Sequence, residues 1–329
     1  MVYRDRYIKN TFALEAVAAL YIDYASVDEL RRDLPQAVRP FLHVGGGSNL
    51  LFSSPRFEGT VFHNSNSSVE VLEQDGDHVL VRAGGGMVWD DFVSWSVAQG
   101  YYGAENLSLI PGEVGAAAVQ NIGAYGSEAK DIIERVETFD IESDRERIFE
   151  REECCYGYRT SLFKSEEGRR YFVMAVVFRL SPRRNLNLSY GALKDVDGDS
   201  ATLADVRDAI VGIRRLKLPD PDDIGSAGSF FMNPVVPVAK YEALAAEYPD
   251  MPHYPAAEGF VKLSAGWMID RCGLKGVSRG RAGVYEKQAL VLVNRGGATA
   301  KEVMALAEEV IDTVEKKFGV TLRPEAQIV

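Results

Sequence analysis

The sequence predicts an α+β protein in which a strand-rich part is followed by a smaller second unit. Apolar runs such as VEVLEQ and YFVMAVVFRL predict strands up to about residue 183. The pattern becomes helical over residues 202–216, and the two prolines of KLPDPDD then mark a boundary. An amphipathic helix follows Thr299 in the second part. We therefore expect a domain junction near residue 219.

The first part carries local signals for a helix, a strand and a hairpin. Ser26 and Glu29 have the spacing of a capping box and predict a short helix over residues 27–34. FLHVG at 41–45 predicts a buried strand that runs directly into a glycine-rich segment. Alternating runs on either side of Asp75 and Gly76 predict a β-hairpin, because this dipeptide favours a tight turn.

Helix signals dominate from Thr202 onward, and Thr202 itself is a predicted N-cap. A helix near residues 265–272 is expected to end at Gly273, and Gly319 is expected to end the helix after Thr299. That last helix carries an apolar stripe, which predicts packing into a core and consists of Val303, Leu306, Val310, Ile311, Val314 and Phe318.

Composition limits the classes of function. The 329 residues are 46% hydrophobic and 26% charged, as in ordinary globular proteins, with a formal net charge of −11. This charge argues against binding to nucleic acid or to an anionic membrane, because both need concentrated positive charge. Three cysteines without disulfide or metal spacing fit a reducing compartment, and Glu15 interrupts the signal-like run FALEAVAALYI. We expect a cytoplasmic protein with no membrane span and no nucleic-acid partner.

The sequence predicts no metal site. DVDGDS at 195–200 resembles the start of a calcium loop, but its glycine stands at the fourth position and Val206 replaces the closing glutamate. The histidines are too scattered to predict a zinc site or a serine triad; they are His43, His63, His78 and His253.

Two glycine-rich stretches, GGGSNLLF at 45–52 and IPGEVGAAAVQNIGAYG at 110–126, suit an anionic group. Glycine lets consecutive amides turn toward one anion, such as a pyrophosphate. Neither stretch matches the dinucleotide fingerprint, since Leu50 replaces its last glycine, and neither ends in GK[ST]. Tight turns explain one such stretch equally well. Two of them, the second with Gln120 and Asn121 to bond a ring edge, favour a large nucleotide cofactor.

Ser229 lies in GSAGSFFMNP at 225–234, on bendable backbone beside two phenylalanines. This setting can place a hydroxyl in a dry cavity, whereas a glycine-rich turn leading into a strand is the simpler interpretation. No histidine lies nearby in sequence to make the serine a nucleophile. The residues alone leave both interpretations open.

A series of motifs resembles the flavin-dependent UDP-N-acetylenolpyruvoylglucosamine reductases of bacterial cell-wall synthesis. The similarity extends from Asn10-Thr11-Phe12 to Pro324-Glu325, so it covers nearly the whole chain. Besides the glycine-rich stretches and GSAGSFFMNP, it rests on YGYRTSLFK at 156–164, KLPDP at 217–221 and VKLSAGWMID at 261–270.

The resemblance implies the FAD-binding fold of p-cresol methylhydroxylase and vanillyl-alcohol oxidase, an α+β arrangement in two subdomains. The implied divisions are 1–64 and 65–218 for FAD, 219–319 for substrate, and a tail, 320–329, that returns Glu325 to the active site.

The cofactor implied by the resemblance is non-covalent FAD, with NADPH as co-substrate. Proteins of this fold that bind flavin covalently often use a histidine in the glycine-rich loop, where this chain has Ser48. The implied FAD-binding residues are Gly45, Gly46, Gly47, Ser48, Asn49, Leu50, Pro111, Gly112, Gly115, Gln120, Asn121, Gly123, Ala124, Tyr125 and Gly126.

The implied reaction reduces an enolpyruvyl ether to a lactyl ether, with hydride reaching the terminal carbon. The neighbouring carbon then needs a proton, and a positioned serine hydroxyl suffices because its partner is a strong base. The resemblance assigns this proton to Ser229, carboxylate binding to Arg159, and stabilisation of the enol-like intermediate to Glu325.

A nucleotide-sugar partner, UDP-N-acetylglucosamine enolpyruvate, follows from the same resemblance. The chain resembles the longer form of the family, in which a tyrosine-bearing loop closes over the substrate, and we expect a monomer. The implied substrate-binding residues are Tyr190, Lys217, Asn233, Tyr254, Lys275 and Gln288.

Two other functions fit parts of the sequence. An alcohol oxidase on the same fold would use oxygen, but SFFMNP, KLPDP and Tyr190 then have no purpose. A non-catalytic nucleotide-sugar sensor would not need Ser229, Arg159 and Glu325 together.

Overall fold

The computed structural model describes residues 1–329, which form two compact units. The first unit consists of Met1–Ile8, Val17–Gly47 and Arg56–Arg214. The remaining segments, Lys9–Ala16, Ser48–Pro55 and Arg215–Val329, form the second unit. The second unit thus takes two short segments from the N-terminal part of the chain. The predicted borders at 64, 218 and 319 divide the chain more finely and stay predictions.

Twenty strands are numbered in chain order. They are β1 (Val2–Tyr7), β2 (Val17–Tyr24), β3 (Phe41–Val44), β4 (Leu50–Leu51), β5 (Arg56–Asn64), β6 (Val69–Gln74), β7 (Val79–Gly84), β8 (Gly123–Ala124), β9 (Ser127–Glu128), β10 (Ile133–Asp140), β11 (Arg145–Glu150), β12 (Tyr171–Leu180), β13 (Gly225–Ser229), β14 (Val235–Pro237), β15 (His253–Pro255), β16 (Phe260–Leu263), β17 (Ser278–Arg279), β18 (Ala282–Val284), β19 (Val291–Asn294) and β20 (Gln327–Ile328).

Seven α-helices connect these strands. They are α1 (Val27–Asp33), α2 (Trp89–Ala98), α3 (Val114–Gln120), α4 (Leu203–Lys217), α5 (Val238–Glu247), α6 (Ala265–Arg271) and α7 (Ala300–Phe318). None of them is both long enough and apolar enough to cross a lipid bilayer.

The first unit contains two larger sheets. One has the order β1-β2-β5-β3, with β2 and β3 parallel to β5. The other is antiparallel, with the order β11-β10-β12-β7-β6. One buried cluster contains Phe62 from the first sheet and Phe139 and Phe172 from the second, so the two sheets share a core. A further cluster packs α2 and α3 against the antiparallel sheet.

The second unit is built around α7. Its sheets have the orders β13-β19-β18-β17, β14-β16-β15 and β20-β4. Thr299 and Glu302 form a capping box at the start of α7, and Gly319 ends the helix at a φ of 60°. The predicted apolar stripe is buried in the core of this unit, apart from Ile311, which is partly buried.

Local sequence signals give the right element at most of the predicted positions. Asp75 accepts hydrogen bonds from the backbone of residues 77 and 78, which stabilise the turn between β6 and β7. Thr202 accepts from Asp205 N at 3.2 Å, so it caps α4, which ends one residue beyond the predicted range. Gly273 follows α6 with a φ of 73°. Ser26 caps α1, while Glu29 bonds the backbone of Ala25 instead of completing the box.

Candidate active site

Residues 45–47, the start of the first glycine-rich segment, pack against the second glycine-rich stretch within the first unit. A Cβ added to Gly45 would lie 3.1 Å from Cβ of Ala116 and 3.2 Å from Oε2 of Glu113. A Cβ on Gly46 would lie 3.5 Å from Cα of Gly112, and Gly47 has a φ of 67°. A side chain at residue 45 would be crowded and one at residue 47 would be strained by its φ, whereas a Cβ at residue 46 would make ordinary van der Waals contact. The result is a peptide surface without side chains, which fits the pyrophosphate of FAD.

The second glycine-rich stretch is not a loop throughout, because its central residues form α3. Val114 N bonds Met87 O at 2.9 Å, and Gly115 N bonds Gly85 O at 2.8 Å, so the start of the helix is tied to the turn after β7. Good helix formers in the AAA run, with Ala117 and Ala118 buried, explain why this segment is helical. A nest of glycine amides is therefore limited to the ends of the stretch.

Asn121 connects the end of α3 to two neighbouring segments. It is fully buried and has a left-handed backbone with a φ of 47°. Its Nδ2 donates to Gly157 O at 2.8 Å and its Oδ1 accepts from Lys130 N at 3.0 Å. A further bond runs from Nδ2 to the Glu128 carboxylate at 3.2 Å. The sequence suggested that the side-chain amide of Asn121 bonds the ring edge of the cofactor. In the structure this amide bonds other parts of the protein.

We expect Asn121→Ala to lower the free energy of unfolding by about 2 kcal/mol, because alanine strains the left-handed backbone and leaves buried polar groups unpaired. Urea unfolding of the apoprotein measures this loss. Asn121→Gly is the matched control, since it relieves the backbone and should recover about 1 kcal/mol. Equal stability of the two variants would contradict the destabilisation that we attribute to alanine in the left-handed backbone conformation.

Arg159 occupies a strained position in a tight turn of the first unit. Gly157 and Thr160 exchange backbone hydrogen bonds at 3.0 and 3.2 Å, with Tyr158 and Arg159 between them. The φ of Arg159 is 56°, a conformation that costs a non-glycine residue about 1 kcal/mol. Its guanidinium donates to Gly123 O at 2.7 Å and more weakly to Asn121 O at 3.4 Å. Strain of this kind concentrates at functional sites.

Lys164 belongs to the same motif, but its role is visible only in the structure. Its ammonium donates to Gln120 Oε1 at 2.7 Å and to Arg159 O at 3.0 Å. One cation therefore holds both the end of α3 and the turn that carries Arg159. Five positions separate Arg159 from Lys164, so no helical or strand periodicity indicates this contact.

Arg214 is a second cation beside the second glycine-rich stretch that the sequence did not indicate. Its Nε donates to Leu109 O at 3.2 Å, and its charge interacts with the Tyr125 hydroxyl. Burial lowers the pKa of Arg214 and raises the pKa of Tyr125. The ring of Tyr125 meets the ring of Tyr190 edge to face at 5.4 Å, while Tyr190 itself is exposed.

Ser229 ends strand β13 in the second unit. The strand follows β19 as far as Ser226, and the register is irregular between Ser226 and Ser229. Gly228 has a φ of 67°, which bends the chain just before the serine. Ser229 is half-buried, whereas Phe230 and Phe231 behind it are fully buried. Ser229 therefore stands at the boundary between the half-buried end of β13 and the apolar core of the unit.

The structure brings Glu325 next to Ser229 through backbone bonds. Glu325 N donates to Phe230 O at 2.8 Å, and Met232 N donates to Arg323 O at 2.9 Å. Asn49 Nδ2 donates to Glu325 O at 3.2 Å, and β20 pairs in parallel with β4. The tail thus joins Ser229 to residues 49–51 within the second unit. Arg159, like Gly45–Gly47, belongs to the first unit.

The predicted substrate residues of the second unit are dispersed over several elements. Asn233 Oδ1 accepts from Ala265 N at 3.0 Å at the start of α6. Gln288 Oε1 accepts from Leu290 N at 3.3 Å, and Lys275 Nζ lies 3.5 Å from an oxygen of the Asp270 carboxylate. Lys217 is the last residue of α4, and Tyr254 lies in β15 near Lys262, whose Nζ is 6.0 Å from the ring centre.

Family models match both parts of the chain. One described as an FAD binding domain matches residues 18–145. Another, described as the C-terminal domain of UDP-N-acetylenolpyruvoylglucosamine reductase, matches residues 220–329.

Curated relatives match over the full length. A Bacteroides fragilis protein named UDP-N-acetylenolpyruvoylglucosamine reductase is 51% identical over 324 residues, which cover 97% of each chain. A Porphyromonas gingivalis protein of the same name is 47% identical over 327 residues, covering 98% of this chain and 96% of the relative.

One solved structure is similar over the same extent. It is the crystal structure of UDP-N-acetylenolpyruvylglucosamine reductase from Thermus caldophilus, with a TM-score of 0.70, 23% identity, and coverage of 99% of this chain and 98% of that one. At this identity the similarity concerns the fold. The predicted α+β class with an FAD-binding fold is confirmed.

Proposed function

The chain belongs to the UDP-N-acetylenolpyruvoylglucosamine reductase family, and we propose that it reduces UDP-N-acetylglucosamine enolpyruvate to UDP-N-acetylmuramate with NADPH. Membership and the FAD-binding domain make it a flavin-dependent oxidoreductase that acts in peptidoglycan precursor synthesis. One observation within the site carries the proposal. The hydrogen bond from Glu325 N to Phe230 O holds the backbone of Glu325 beside the residue that follows Ser229 at the end of β13.

The chemistry that bound FAD supplies is transfer of a hydride from NADPH to the terminal carbon of the enolpyruvyl group. Gly45–Gly47 and Gly112 provide the side-chain-free surface for its pyrophosphate. The same proposed cofactor-binding set contains residues 48–50, Pro111, Gly115, the end of α3 and residues 123–126. Lys164 and Arg214 hold the backbone and side chains of this set in place.

Ser229 donates the proton that completes the reduction. The hydroxyl belongs to a half-buried residue at the end of a strand, directly before two fully buried phenylalanines, and this position favours order and low hydration. Such preorganisation lets a weak acid protonate a strongly basic carbon. Glu325, fixed next to it by backbone bonds, supports the enol-like intermediate through a hydrogen bond or a shared proton.

Arg159 binds the substrate carboxylate, on which negative charge increases during the reaction. Its planar guanidinium can donate to both carboxylate oxygens. The strained turn aims this side chain, and the bonds to Gly123 and Asn121 limit its rotamers. Side-chain order of this kind lowers the entropy lost when the substrate binds.

The nucleotide part of the substrate is met by local charge and hydroxyl groups. We assign Lys217 and Lys275 to the pyrophosphate, and Tyr190, Asn233, Tyr254 and Gln288 to the remaining polar contacts. This assignment follows the family pattern and is consistent with a chain whose net charge is −11, because only local cations can then attract an anion. We also propose that the protein works as a monomer in the cytoplasm. Its three free cysteines are consistent with that reducing compartment.

The visible absorption spectrum of the purified protein tests the proposal. Under anaerobic conditions NADPH should bleach the flavin bands, and UDP-N-acetylglucosamine enolpyruvate should restore them. The matched control adds UDP-N-acetylglucosamine, which lacks the enolpyruvyl group and should restore nothing. Bleaching of the flavin by a simple alcohol with consumption of oxygen in air, or a flavin that NADPH does not bleach, would contradict the proposed reaction.

A further inference from the structure

His63 lies between two carboxylates in the first unit. Its Nδ1 is 2.9 Å from Oδ1 of Asp23, and its Nε2 is 3.2 Å from Oε1 of Glu113. The three side chains are largely buried, with exposed fractions of 21%, 16% and 12% for His63, Asp23 and Glu113. The contact joins strands β2 and β5 to the residue that precedes α3.

Glu113 occupies the N-cap position of α3 but does not cap the helix with its side chain. Its carboxylate turns toward the first glycine segment instead. Oε2 lies 3.2 Å from the Cβ position of Gly45, and Oε1 lies 3.7 Å from that of Gly46. A negative charge therefore borders the surface assigned above to the FAD pyrophosphate. An unneutralised carboxylate at this distance would repel a dianion.

We propose that His63 is a positioning residue for the cofactor, holding the Glu113 carboxylate and neutralising it so that the pyrophosphate can approach Gly45 and Gly46. The inference rests on the proposed location of FAD and extends it to residues outside the glycine-rich stretches. His63 touches neither the cofactor nor the substrate in this proposal, and acts through Glu113.

Hydrogen-bond chemistry indicates which protonation state does this. Ionised carboxylates only accept hydrogen bonds, so a ring nitrogen without a proton would face an oxygen lone pair. Both ring nitrogens of His63 face carboxylates, and only the imidazolium can donate to both. Burial lowers the pKa of His63, but the bonds and charges of Glu113 and Asp23 more than offset burial and raise it overall.

Other charged or titratable groups around His63 are few. The Tyr21 ring lies 6.3 Å from the imidazole, and Arg6 approaches the Asp23 carboxylate at 3.9 Å. His43, the next histidine, is held neutral because burial lowers its pKa to about 3. The positive charge within hydrogen-bonding distance of Glu113 therefore comes from His63, whereas the Arg6 guanidinium lies over the Tyr21 ring, 4.5 Å from its centre.

The test measures FAD affinity of the apoprotein by flavin fluorescence, without NADPH or substrate. His63→Gln should weaken FAD binding on the order of tenfold, because the Glu113 charge is no longer offset. Glu113→Gln should bind FAD at least as tightly as the wild type. The double variant should recover the affinity of Glu113→Gln. A purely structural contact predicts the opposite, a double variant at least as weak as His63→Gln, and that result would overturn the proposal.

A matched control comes from a second histidine of the same unit. His78 also lies between two carboxylates, those of Glu73 and Asp75 at 3.7 and 3.2 Å, in the turn between β6 and β7. His78→Gln should leave FAD affinity unchanged. An equal loss in His78→Gln and His63→Gln would contradict a specific effect on the glycine surface.

The pH dependence of FAD binding provides a second test that needs no substitution of His63. Wild-type FAD affinity should be highest at low pH and should fall as the pH rises through the pKa of His63, above its ordinary value of 6.5. Glu113→Gln should remove this slope, since the carboxylate that His63 neutralises is then absent. A slope of equal size in both proteins would overturn the proposal. Because no turnover is measured, failure of the proposed reductase reaction is a separate result.

Discussion

Alanine in place of Ser229 should leave the reduction of bound flavin by NADPH unchanged and slow its reoxidation by the enolpyruvyl substrate. The expected loss is on the order of a hundredfold or more, the usual effect of removing a proton donor used only in the transition state. The structure supports this selectivity. Ser229 ends β13 beside two buried phenylalanines, so the change removes one hydroxyl without opening the core behind it.

Stopped-flow absorbance under anaerobic conditions separates the two half-reactions of Ser229→Ala. Ser226→Ala is the matched control, because Ser226 is a buried serine of the same strand. The control should change neither half-reaction by more than about twofold. If Ser229→Ala slowed both half-reactions equally, the serine would have a structural role and the proposed proton donor would have to be sought elsewhere.

Arg159→Ala should lower kcat/KM for the enolpyruvyl substrate by more than a hundredfold, since a bidentate partner of the carboxylate is lost. Its effect should differ from that of Ser229→Ala in one respect. The guanidinium also donates to Gly123 O at 2.7 Å, in the segment assigned to the flavin. FAD affinity should therefore fall as well, by about tenfold or less.

Two substitutions calibrate the Arg159 result. Arg159→Lys keeps a positive charge but not the planar fork, so it should recover only part of kcat/KM. Arg179→Ala breaks an exposed ion pair with Glu134 in the same unit and should change neither FAD affinity nor turnover. A loss confined to FAD affinity in Arg159→Ala would exclude the proposed contact with the substrate carboxylate.

Short-range signals explain why much of the fold is predictable. Thr202, Thr299 and Gly319 act on the residues next to them, so capping rules locate the ends of α4 and α7 without any knowledge of the tertiary structure. The hairpin at Asp75 is equally local. The sequence pattern does not predict α3, because glycine on both sides of its alanines suggests a loop, whereas burial against the antiparallel sheet favours a helix.

The candidate site is predictable in composition and less so in arrangement. Motif resemblance names Ser229, Arg159 and Glu325, yet Lys164 and His63 act through contacts that follow no period along the chain. Strand β20 has two residues, too few for an alternating pattern to indicate its pairing. Such contacts depend on the tertiary structure, which sequence patterns of short range do not contain.

If Glu325 has the proposed role, the pairing of β20 with β4 determines when a newly made chain can become active. Asn49 and Glu325, which share a hydrogen bond, are separated by 276 positions, and a ribosome releases the first long before the second exists. Contacts this far apart form slowly, because closing so large a loop costs entropy. Under the proposed roles, the residues 110–126 assigned to the flavin are synthesised well before Glu325, which is assigned to the substrate reaction. Catalysis would begin only after residue 325 has left the ribosome and β20 has joined β4.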